Sequence, residues 1–173
     1  MHLEVEDLVL RPWNDPDADA IASAYQEDPE IPRRTGFAYG LTVDQAQDYI
    51  AERRRSWNAG VTAAFGIFDH EGCLLGSISL LQIDRQRGQA QIAFWLARGA
   101  RGHGVATRAV NRIVTWAAEL GLTLLTATVE VTNDPSRRVL ERAHFDCLRI
   151  ARRNRKLHGR WIDEYVYEIR VAG

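Results

Sequence analysis

The sequence predicts a mixed α/β fold of the α+β type, with helices flanking a largely antiparallel sheet, and three features carry that reading. From Thr62 to Ala97, three runs of alternating apolar residues follow one another across short turns, as in an antiparallel meander. A glycine-rich junction, "ARGARGHGVATRAV", then opens a long amphipathic run, and the β-branched stretch Thr123 to Val131 follows, so that helix and strand form a crossover unit. No internal repeat, low-complexity linker or shift in composition divides the 173 residues, which suit one domain spanning 1–173 with a core of its own.

Taken in chain order, "EDLVLRPW", Glu6 to Trp13, alternates apolar residues up to Pro12 and reads as the first strand. Asn14 or Asp15 starts a short helix with an Asp-rich first turn, on which Ile21 and Tyr25 share a face. Pro29 to Gly40, punctuated by proline and glycine, reads as a loop. Thr42 opens the next helix, where Val43, Ala46, Tyr49, Ile50 and Trp57 recur near helical spacing and Gly60 supplies the stop. "TAAFGIFD" and "CLLGSISLLQID" flank a hairpin turn from Asp69 to Gly72, and "GQAQIAFWLA" is the fourth strand. After the crossover, Asn133 or Asp134 caps another helix in which Pro135 suits the first turn. Two closing strands surround a glycine-containing turn at His158 to Arg160, and Trp13, Trp57, Trp95 and Trp161 are expected mostly in the core.

Charge narrows the function. Lys and Arg number 22 against 23 Asp and Glu, a net charge of -1, so no global field concentrates nucleic acid or an anionic membrane, and any attraction for anions must be local. Cys73 and Cys147 are too few for a disulfide framework or a multi-cysteine zinc site, and no secretory signal precedes the first strand; a cytoplasmic location is expected. No apolar run approaches the roughly 18 residues of a membrane span. No two histidines stand at i, i+4, so no metal is expected. The cationic stretch "RIARRNRKLHGR", Arg149 to Arg160, reads as a solvated hairpin whose basic residues blunt a sheet edge.

The junction carries the chemistry. A helix beginning near Gly104 leaves its first backbone N–H groups unpaired and places partial positive charge there, so it can seat an anion. Gly102 and Gly104 let a ligand approach the backbone, while Arg101 and Arg108 can add charge-assisted bonds. A nucleotide-hydrolysing P-loop needs Gly-Lys followed by Ser or Thr, where Gly104-Val105-Ala106 stands, and a dinucleotide fingerprint needs a small residue where Thr107 stands. Glycines that merely end a strand and cap a helix remain the alternative at this level.

Arg101-Gly102-His103-Gly104-Val105-Ala106 matches the Q/R-x-x-G-x-G/A signature of the GNAT superfamily of N-acetyltransferases. The resemblance runs along nearly the whole chain, through "LVLRPW", "TVDQAQDYIAERRRSW", "QIAFWLA" and "NDPSRRVLERAHF". It is greatest toward the branch containing ribosomal-protein N-terminal acetyltransferases. It implies a twisted sheet splayed between strands four and five and acetyl-CoA as co-substrate. It further implies pantetheine contacts from the backbone of Phe94, Trp95 and Leu96, and pyrophosphate contacts from Arg101, Gly102, His103, Gly104, Val105, Ala106 and Thr107. Asn133 would hold the pantetheine arm, with Ser136 near the sulfur. A splayed strand end also suits an amide-bearing chain on elementary grounds, because it exposes unpaired backbone groups.

Acyl transfer to an amine needs a neutral amine, a polarised carbonyl and protonation of the departing thiolate. Ser136 is the candidate acid, with a cap position making only a backbone bond as its alternative. Relatives often place a tyrosine acid where Leu140 stands and a glutamate base where Gln91 stands, and Gln91 cannot take a proton. Glu130 is therefore the candidate base, with Asp84 as a substitute; both otherwise read as surface carboxylates at strand ends. Ala143-His144-Phe145 replaces the family's Gly-Phe, and His144 reads as a turn substitution. Phe37 and Tyr39 are candidates to line the acceptor entrance. Neither cysteine falls in the cofactor motifs, so direct transfer in a ternary complex is expected, to a protein N-terminus or a small-molecule amine. A non-catalytic acyl-CoA-binding module is one alternative. Another is a different donor such as succinyl-CoA, which needs arginines such as Arg33, Arg34 or Arg87 near the acyl group. Exposed sheet edges make a homodimer compatible with the sequence.

Overall fold

The computed structural model describes residues 2–171. Its strands are β1 (Leu3–Val5), β2 (Leu8–Pro12), β3 (Ala63–Asp69), β4 (Leu74–Asp84), β5 (Gln89–Leu96), β6 (Leu124–Glu130), β7 (Asp146–Leu157) and β8 (Arg160–Arg170). Its α-helices are α1 (Ala18–Glu27), α2 (Glu30–Thr35), α3 (Val43–Asn58), α4 (Val105–Glu119) and α5 (Asp134–Arg142). The strands form one sheet in the order β1-β2-β3-β4-β5-β6-β8-β7. Every neighbouring pair is antiparallel except β5 with β6, which α4 connects as the predicted crossover.

The short β1 was not expected, so the predicted fourth and fifth strands are β5 and β6 here. A second departure is α2, which occupies part of the expected loop from Pro29 to Gly40. Pro32 stands in the first turn, where no intrahelical N–H is required, and Arg33 and Arg34 reach back to Glu30 across one turn. Gly36, at φ 83°, ends the helix in the left-handed conformation. The third departure is Trp161, which is 52% exposed on β8 rather than in the core. Arg153 lies over its ring at 5.7 Å.

Each sheet face carries its own core. On one, α4 buries Val110, Ile113 and Trp116 against Leu10, Phe65, Ile78, Ile92 and Leu125. On the other, α1 and α3 bury Ile21, Tyr25, Ala46 and Ile50 against Trp13, Ala64 and Phe68. Thr42 caps α3 by accepting from the Gln45 N–H, and Gln45 Oε1 accepts from the Thr42 N–H, a reciprocal capping box. The β7–β8 turn needs positive φ at both His158 (46°) and Gly159 (79°), and His158 Nε2 lies 2.7 Å from the Pro32 carbonyl oxygen. The hairpin tip is thereby tied to α2.

Candidate active site

Strands β5 and β6 pair only from Gln89–Leu124 to Gln91–Thr126. Beyond that point β5 stays bound to β4 as far as Leu96–Gly76, and β6 stays bound to β8 as far as Glu130–Glu164. The facing edges of Ile92 to Leu96 and Ala127 to Glu130 therefore have no strand between them, and a cavity of about 800 Å³ opens there. Gly76 allows the close approach of β4 to the end of β5, since a Cβ at that position would collide with the Trp95 carbonyl oxygen and the Leu96 side chain.

At the open end of this gap lies the predicted anion seat. Gly104, at φ 75°, is the N-cap of α4, and Gly102 is also left-handed at φ 83°. Among the described residues, the backbone N–H groups from Gly102 through Thr107 donate to no protein acceptor. Such a run at the positive end of a 15-residue helix is an anion cradle. Gly102, Gly104, Val105, Ala106 and Thr107 line the cavity; the His103 side chain does not.

The two arginines flanking this loop are both committed to protein partners. Arg101 donates through Nε (3.2 Å) and Nη2 (2.8 Å) to the Leu96 carbonyl, and Nη2 lies 2.5 Å from the buried carboxylate of Asp28. It locks the glycine-rich loop to the end of β5 and to the α1–α2 junction, and it occupies the Leu96 carbonyl. Arg108 reaches Asp7 (3.0 Å) and Glu6 (3.5 Å), and its Nη1 donates to the His103 carbonyl of the loop itself (3.4 Å).

Helix α5 supplies the other wall. Asn133 Oδ1 accepts from the Ser136 N–H at 3.4 Å, so Asn133 is the cap. Among the described residues Ser136 Oγ enters no hydrogen bond, and Ser136 and Asn133 both line the cavity. Leu140, one turn on, is fully buried and offers no proton. Arg138 and Arg142, one turn apart, line the same wall, are exposed, and pair with no carboxylate among the described residues.

On the face of α1 and α3 the register sets a polar strip. Trp95 packs in that core, so Ala93 and Gln91 share its face, as do Ser77, Ser79 and Leu81 opposite them on β4. Gln91 Nε2 donates to Thr128 Oγ1 at 3.3 Å across the point where the strands part. Glu130, two residues further on, accepts from Arg34 (3.0 Å) and Thr132 (2.8 Å), with Arg33 at 4.0 Å. Glu30 is held down to about 2 by the Arg33 hydrogen bond, against its partial burial, with Arg34 adding to the effect. Burial pushes the phenols of Tyr25 and Tyr49 up. Phe37 lines the cavity, whereas Tyr39 stands outside it, packed near His158. Asp84 is also outside, accepting from the N–H groups of Gln86 and Arg87 in the β4–β5 turn. Sequence reasoning missed Arg53, Arg138 and Arg142, because charges on helices read first as solvated faces.

A strand gap that ends on an unpaired helix start offers free backbone groups beside a positive helix end. The model of the acetyltransferase (GNAT) domain family matches residues 7–146. The uncharacterized N-acetyltransferase p20 of Bacillus licheniformis is 30% identical over 169 residues, covering 96% of this chain and 94% of that protein. Two solved structures share the fold. One is RimL, a ribosomal L7/L12 α-N-protein acetyltransferase in complex with coenzyme A (TM-score 0.92, 18% identity, covering 99% and 98% of the two chains). The other is RimJ of Mycobacterium smegmatis with a CoA disulfide (TM-score 0.89, 24% identity, 98% and 86%). The chain belongs to the GNAT acetyltransferase family, and it is an N-acetyltransferase.

Proposed function

We propose that the protein transfers an acetyl group from acetyl-CoA to a primary amine, on a protein N-terminus or a small molecule, by direct attack in a ternary complex. The observation that carries this reading is the meeting of three features in one cavity: open strand edges, a run of unpaired N–H groups, and an unengaged serine hydroxyl. The coordination chemistry fits a pantetheine diphosphate. Amides of the arm can pair with the edge of Phe94 to Leu96, and the pyrophosphate can take the N–H groups of Gly102 to Thr107. Arg101 acts through its hold on Leu96 and Asp28 rather than as a phosphate ligand.

The co-substrate supplies a thioester, an activated acyl carbon with a thiolate leaving group. The N–H groups of Phe94 and Leu96, which face the gap because Trp95 pairs with Ser77 of β4, polarise its carbonyl. Asn133 steadies the arm, and Ser136 Oγ gives its proton to the departing sulfur while taking one from solvent, so that the hydroxyl is restored. Glu130 takes the proton from the amine, directly or through water. Its oxygens already accept from Arg34 and Thr132, so those bonds orient it toward the gap. Neither free cysteine lines the cavity, in keeping with transfer that forms no acyl-enzyme. Arg33 and Arg34 are matched by Glu30 and Glu130, and Arg87 lies in an exposed turn beside Asp84, so none of these three arginines is left to meet a succinyl carboxylate.

The test follows thiol release from acetyl-CoA with a panel of amines and peptide N-termini. Wild type is expected to release thiol with at least one acceptor class. Ser136→Ala is expected to lower kcat by about 10²-fold or more while leaving acetyl-CoA affinity within about twofold. Equal turnover in Ser136→Ala removes that residue from the mechanism, and no release with any amine rejects the transfer reading.

A further inference from the structure

On the side of the cavity that α3 borders, one cation has no ion-pair partner among the described residues. Arg34 is matched by Glu130 and Glu30, and Arg155 by the buried Glu164 at 3.0 Å. Arg53 stands one turn beyond Tyr49 on α3 and also lines the cavity. Among the described residues it makes no ion pair, and its Nε is buried without a hydrogen-bond partner. Its guanidinium lies 5.1 Å from the centre of the Tyr49 ring. The same sheet face presents Ser79, Gln91 and Thr128, so the cation overlooks a polar floor beside the point where β5 and β6 part.

A guanidinium cannot shed its charge at any working pH, and a buried N–H left unpaired is unfavourable by about 1–3 kcal/mol. The fork of Nε and one Nη is the geometry that a carboxylate satisfies with two parallel bonds. We propose that Arg53 binds a carboxylate carried by the acceptor, so that the preferred amine bears an acid group near its amino nitrogen. This rests on the acetyl-transfer reading above and adds the substrate class. The acid has two sources, the α-carboxylate of an amino acid or an acidic side chain close to a peptide N-terminus.

A binding comparison that needs no turnover tests it. The full-length protein, saturated with coenzyme A, is titrated calorimetrically with two pairs of product-like ligands: N-acetylglycine against N-acetylglycinamide, and acetyl-seryl-aspartyl amide against acetyl-seryl-asparaginyl amide. In at least one pair the acid is expected to bind about tenfold tighter or more, with the preference lost in Arg53→Gln and partly kept in Arg53→Lys. Preference in the first pair assigns an α-carboxylate, and in the second a side-chain acid. No discrimination in either pair, or a preference that survives in Arg53→Gln, overturns the proposal. So does a preference for succinyl-CoA over acetyl-CoA that Arg53→Gln abolishes, since the charge then belongs to the acyl group. Absence of thiol release with every amine counts against the transfer reading and leaves this comparison standing.

Discussion

His144 follows α5 with φ at 64°, the left-handed conformation that a Cβ disfavours and that glycine adopts freely. Its N–H donates to the Glu141 carbonyl, and the imidazole is exposed. The departure from the family's Gly-Phe is thus a turn position filled by a less suitable residue. His144→Gly is expected to raise stability by about 0.5–1 kcal/mol, read as a higher urea midpoint with unchanged slope. Asp17 makes the opposite case. Burial raises its carboxyl, but two 2.8 Å bonds from Arg11 and one from the Asn14 N–H outweigh that and hold it below its ordinary 3.8. A depressed carboxyl contributes stability above its unfolded value, and that contribution is lost as pH falls through the folded one. Asp17→Asn should therefore be less stable than wild type by about 1.5 kcal/mol at pH 7, Arg11 being partly exposed, and the gap should close below pH 3.8. Thermal melts across that range check it. At this scale Gly102 and Gly104 were legible as the turn into a helix, and both take positive φ there. The engagement of Arg101 was not, since Asp28 is distant in sequence and only the fold brings it near.

At the scale of elements, local chemistry explains both what was read and what was missed. The capped α3, the meander and the β-branched β6 carry strong periodic patterns, and all stand where expected. Helix α2 is six residues long, too short for periodicity, and its signal lay in Glu30 paired with Arg33 and Arg34 instead. Helix α5 borders the cavity from its start to its end. Asn133 and Ser136 start it at the cavity, and Arg138 and Arg142 also line it as cations that pair with no carboxylate among the described residues. Under the proposed function they meet the phosphates of the co-substrate. Arg138→Ala and Arg142→Ala should each weaken coenzyme A binding about three- to tenfold, less at high salt, with little change in kcat at saturation; calorimetry at two ionic strengths tests this.

Over the whole molecule, the sheet order places the single parallel pair between two antiparallel blocks, and that pair comes apart. The crossover helix α4 then points its unpaired start at the gap, while α1, α2 and α3 cover the opposite face. No helix among the described residues is long and apolar enough to cross a membrane. The sequence pattern carried the crossover and the glycines; the polar strip of Ser79, Gln91 and Thr128 needed the register, and Arg53 needed its neighbours. Under the proposed function, the gap and the N–H run of Gly102 to Thr107 together seat coenzyme A. Backbone amide chemical shifts measured during a coenzyme A titration test it most directly. The largest changes are expected at Gly102 to Thr107 and Phe94 to Leu96, whereas saturable binding that leaves both segments unmoved would contradict it.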